Sequence, residues 1–327
     1  MFMSMNEWIG FGMGLLMTVG LQAQEQHFDG WKWKERETDH FALRAESSGY
    51  DPASKYAEKV WDVCIEAPPG LIADVEKNEF RTPTGSKGSE EAPFRHTVYL
   101  LGNGDDFNRL VEIDAKRNGW GVNTVRITQE TANYADPHHR YGVFCKADPK
   151  QSAGGDRDMT SVFVHSTASS LLAGRSRSHQ LPFWMTAGYG YYVEHRLFDL
   201  CRVLYLDFEA YYANQKAEIK RGETLGPDKS WASVLRRMCK KDERVSLDDV
   251  CTAQILTLSP KESGYIFALS YFLVRDDDAR KKYQQLVAKA RDGQAIVNSL
   301  LLEVYGYADN AALEKEWYEW MESRDFK

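Results

Sequence analysis

From Gly226 to the end of the chain, apolar residues recur at helical spacing almost without a break, whereas the part before it mixes strand and helix patterns. That asymmetry limits the fold more than any other feature. Tyr265–Arg275, Asp278–Arg291 and Gln294–Tyr305 read as successive amphipathic helices, and Asn310–Ser323 closes the series with Leu313, Trp317, Trp320 and Met321 on one face. In the first half, Thr38–Glu46, His96–Leu101, Val122–Thr128 and Tyr141–Lys146 read as strands. Pro52–Ile65 reads as a helix with Tyr56, Val60, Trp61 and Cys64 on one face, and Asp105–Lys116 as a shorter one capped by Asp105 or Asp106. Residues 24–37, with Trp31 and Trp33, read as a lead-in segment, and Thr82–Pro93 and Asp148–Asp158 as surface loops. No internal repeat is visible. The order implies an α+β fold.

The N-terminus narrows the compartment. Ile9 to Leu21 (IGFGMGLLMTVGL) is apolar apart from Thr18, too short to span a bilayer as a helix, and ends in Leu21-Gln22-Ala23 before polar sequence. This predicts a signal peptide over residues 1–23 and export to the periplasm, cell surface or exterior. The segment before it carries Glu7 and no Lys or Arg, so retention as an anchor stays open. After cleavage no membrane span is expected. A net charge of −7 with no basic patch argues against nucleic acid as a partner. Five cysteines leave at least one thiol unpaired; Cys239 and Cys251 are the first pair to try, beside the reading that all are buried thiols.

Two adjacent segments carry the chemistry. VFVHSTASSLL covers Val162 to Leu172, and LPFWMTAGYGYYVE covers Leu181 to Glu194. Both read as helices, from about Thr160 to Ala173 and from Pro182 to about Leu200, with Pro182 suited to a first helical position. A metallopeptidase helix bearing H-E-x-x-H sets two imidazoles on one face for one zinc, with the Glu as general base.

The second segment resembles the pattern L-P-x-W-[LM]-x-E-G-[LF]-A-x-Y-x-E of a secreted bacterial gluzincin group, within the zincin superfamily of metallopeptidases. Leu181, Pro182, Trp184, Met185, Gly188, Tyr192 and Glu194 fall on its positions. TDHFAL, HTVYLLGNGDDFNRL and VYGYADNAALEKEWYEWM resemble other parts of the group, so the resemblance spans roughly residues 36–322. It implies a zincin-like domain over 24–200 with a twisted, mostly antiparallel sheet and two former active-site helices. A helical subdomain would follow over 201–327.

By the same resemblance the chemistry has been lost. His165 stands at the first zinc ligand, Ser166 at the general base, Ser169 at the second His and Ala187 at the ligand Glu. A catalytic zinc needs three protein ligands, so zinc is expected to be absent and no residue is assigned a catalytic role. His165, Trp184, Tyr189, Tyr192 and Glu194 remain as candidates to line the inherited cleft; Glu194 matches a further Glu of the pattern, and core packing accounts for the tyrosines equally well. His138, His139, His179 and His195 are the candidates for a rebuilt metal site, and His165 with Ser169, four residues apart on one helix, for a nucleophile pair. The expected function is a non-catalytic pseudopeptidase that binds an unidentified protein, peptide or glycan, or serves a structural role. The rival reading is an active zinc peptidase with unorthodox ligands. Substituting His at 169 and Glu at 166 and 187 is expected to restore weak zinc binding.

Overall fold

The computed structural model describes residues 31–46, 51–66, 95–136, 141–145, 159–175, 181–203, 225, 230–241, 243–255 and 257–327. Residues 1–23, expected to be a signal peptide, the stretches Thr82–Pro93 and Asp148–Asp158 expected to be loops, and His138, His139 and His179 lie outside the described residues.

Five strands form one sheet: β1 (Lys34–Glu37), β2 (Phe41–Ala45), β3 (His96–Leu101), β4 (Asn133–Asp136) and β5 (Tyr141–Cys145), in the order β1-β2-β3-β5-β4. The expectation of a mostly antiparallel sheet is not met. The outer pairs β1–β2 and β4–β5 are antiparallel, but β2–β3 and β3–β5 are parallel. Connection chemistry explains this. Helix α1 (Asp51–Glu66) separates β2 from β3, and a helical crossover returns the chain in the same direction. Helices α2 (Gly104–Asn118) and α3 (Val122–Thr131) precede β4, and the antiparallel step from β4 brings β5 in parallel to β3.

Alternation along the strands divides the core in two. Phe41, Leu43, Val98, Leu100 and Phe144 face α1 and the two helices that hold the candidate site, α4 (Met159–Arg175) and α5 (Phe183–Phe198). Tyr99, Leu101, Tyr141, Val143 and Cys145 face α2 and α3. Buried on that second face, the Asp114 carboxylate accepts hydrogen bonds from the Tyr134 and Tyr141 hydroxyls and pairs with Arg117 at 3.0 Å. Two hydroxyl donors on one oxygen and a cation beside the other make this carboxylate a structural group of the second face.

The C-terminal helices are α6 (Trp231–Lys240), α7 (Leu247–Thr252), α8 (Pro260–Leu273), α9 (Asp277–Arg291), α10 (Asn298–Tyr305) and α11 (Asn310–Glu322). Their caps are local and explicit. Ser259 and Glu262 form a reciprocal capping box at α8, and Asp276 and Asp309 cap α9 and α11 through their side chains. Their buried faces continue the core of α4 and α5, so the described helices of both halves share one apolar interior.

Other expectations shift. Val122–Thr128 is not a strand but most of α3: only Ile127 and Thr128 are buried there, and Val122 is 85% exposed. Its β-branched residues favour strands, yet a single buried stripe suits a helix lying on the sheet. Asn103, not Asp105 or Asp106, caps α2 by accepting from the Asp106 amide. Pro182 occupies the N-cap of α5, one residue earlier than expected. Cys239 and Cys251 do not pair; all five thiols are free.

Candidate functional site

Helices α4 and α5 pack along one another beneath the sheet, and their contact holds His165, Ser169 and Glu194. His165 is buried on α4, 1% exposed, and Glu194 is fully buried on α5. Their side chains approach with Nδ1 to Oε2 at 3.5 Å. That is long for a hydrogen bond but close for an electrostatic pairing. The other carboxylate oxygen, Oε1, accepts the backbone N–H of Arg202 at 2.5 Å and of Val203 at 3.2 Å. Glu194 therefore ties α4 to the turn that leaves α5. Asp199 makes that turn possible by taking a left-handed conformation at φ 56° and donating its N–H to the His195 carbonyl.

Ser169 lies one turn beyond His165. Its Oγ is 2.9 Å from the His165 carbonyl on its own helix and 2.9 Å from the Thr186 carbonyl on α5. A hydroxyl has one proton, so it donates to one carbonyl at a time. In either case the proton is committed to backbone, not to the imidazole, and a His–Ser nucleophile pair is not assembled. Ser166, half-buried, donates to the Asn133 side-chain oxygen at 3.2 Å, linking α4 to the start of edge strand β4. Ala187, next to Thr186 in the chain, is buried at 1% exposure.

Two glycines set how closely α5 is gripped. A Cβ on Gly188 would come 1.8 Å from Ser270 Oγ on α8. A Cβ on Gly190 would come 2.5 Å from Ser169 Oγ, 2.8 Å from the His165 carbonyl oxygen and 2.9 Å from His165 Nε2. At these two points the helix touches α8 on one side and α4 on the other with no side chain of its own.

The aromatic candidates are core residues. Trp184, Tyr189 and Tyr192 are each 2% exposed or less. Tyr189 stacks on Tyr283 and hydrogen-bonds the Cys64 thiol; burial, with Cys64 adding to it, pushes its pKa well up. Tyr192 accepts from Arg196 at 2.9 Å and meets Tyr271 edge-on. Tyr191, a third tyrosine that the sequence offers for a groove lining or the core, is buried and sits edge-on to the His165 ring with centroids 4.5 Å apart. His195 packs against Phe267 and Tyr271, and burial lowers its pKa.

Among the described residues no group of three or more His, Cys, Asp or Glu is placed to hold a metal ion. Glu194 is turned to backbone donors, and Ala187 has no donor atom. The nitrogen of His165 left for a metal, Nε2, lies against Gly190.

Sequence reading located His165, Ser169, Ala187 and Glu194 on facing helices. It missed Thr186, Asn133 and the Arg202 and Val203 amides, whose contributions are backbone groups or lie far away in the chain. Gly190 was legible as a departure: the resembled pattern has Ala there. No protein-family model matches the chain, and no curated protein matches it.

Proposed function

We propose that this chain is an exported, non-catalytic pseudopeptidase of the gluzincin type. Its inherited cleft serves in binding a protein, peptide or glycan, or in a purely structural role. The observation that carries the reading is the meeting of His165, Ser169, Ala187 and Glu194 at one helix contact where only backbone and structural bonds are made. A hydrolytic zinc site needs three ligands, an open position for water and a base within reach. Here Ser169 is engaged with Thr186, Ser166 with Asn133 and Glu194 with two amides.

Elemental analysis of the purified native chain after dialysis tests this. The expected result is no stoichiometric zinc. About one zinc per chain would overturn the reading in favour of unorthodox ligands.

A further inference from the structure

The geometry points to a latch at the former metal position: α5 is closed onto α4, and Gly190 is the residue that permits it. This rests on the gluzincin-type reading and deepens it, because the loss then resides in helix packing as well as in three side chains. Where the resembled pattern carries Ala, this chain has Gly190. A methyl group there would meet Ser169 Oγ, the His165 carbonyl and His165 Nε2 at 2.5, 2.8 and 2.9 Å. Contacts under 3 Å with two groups of helix backbone or fixed ring are not relieved by a small side-chain rotation. The Ser169 hydroxyl bridges the same gap to the Thr186 carbonyl at 2.9 Å.

The consequence concerns repair. An imidazole at 169 would have to enter the space in which a hydroxyl already touches α5. A zinc on His165 would lie about 2 Å from Nε2, the atom that Gly190 crowds. Returning the ligand side chains therefore does not return the site. The sequence-based expectation that such substitutions restore zinc binding is replaced by the opposite one.

Two measurements on the full chain decide it. An unhindered helix glycine is stabilised by changing it to Ala. Gly190→Ala is expected instead to lower the unfolding midpoint or abolish folding; a raised midpoint overturns the latch. Separately, Ser169→His/Ala187→Glu is loaded with zinc, dialysed and analysed. Less than about a tenth of an equivalent is expected. One equivalent retained by this variant but not by the wild type overturns the latch alone, whereas zinc retained by the wild type overturns the reading beneath it. If the double variant does not fold, the sign of the Gly190→Ala shift decides.

Discussion

Glu194 does more than any other single side chain at the helix contact. It is fully buried, faces His165 and accepts two backbone N–H groups from the turn after α5. Removing one member of a buried polar set strands the rest without water, and that asymmetry makes truncation costly. Glu194→Ala is expected to destabilise the protein by about 3 kcal/mol or more, as for breaking a buried pair from one side. Glu194→Gln keeps an acceptor for the two amides and should lose less. Urea unfolding of the two variants checks the order; equal, small losses would remove the structural role assigned here. The residue was legible as a match to the resembled pattern. Its partners were not, because a backbone amide carries no signature in the sequence.

At the scale of elements, the join between β2 and α1 turns on His40 and Glu58. His40 Nδ1 lies 2.7 Å from one Glu58 oxygen, its backbone N–H donates to the other at 3.1 Å, and its ring stacks on Trp61 at 4.0 Å. Burial by itself would raise the Glu58 pKa, but hydrogen bonds from His40 and Thr38 outweigh it and hold the carboxyl below its usual value. A depressed carboxylate contributes stability above its unfolded pKa, near 4.3, and loses it as pH falls through the folded value. The pair is partly exposed, so the effect is screened and modest. His40→Ala should flatten the fall in unfolding midpoint between pH 5 and pH 3 in a buffered thermal series; an unchanged slope would exclude the pairing. Helix α11, with a cap and one apolar stripe, was readable from spacing, whereas α8, read as amphipathic, is buried on nearly every side. The short strands β1 and β4 were not readable. β1 is wholly exposed and shows no alternation, while β4 is four residues whose strand state comes from pairing with β5.

Across the whole molecule, the free thiols report on how tightly both apolar cores are closed. Burial raises all five, with Cys64, Cys145 and Cys251 pushed up to about 12, Cys64 despite its hydrogen bond with Tyr189. At pH 8 a thiol near 12 is about one part in ten thousand thiolate, the reactive form. A thiol-reactive dye should therefore label the native chain slowly and five groups per chain once it is unfolded. Rapid labelling of the native chain would show the core to be open. The sequence by itself determined the α+β class, the run of C-terminal helices and the two helices that share the site, because periodicity and capping are local. Tertiary structure alone decided the mixed sheet, the helical state of Val122–Thr131 and the unpaired cysteines. It also decided the closure of α5 onto α4. Each of these depends on which distant surface a segment meets: strand direction follows from the crossover, helix over strand from a single buried stripe, and closure from a missing methyl group at Gly190.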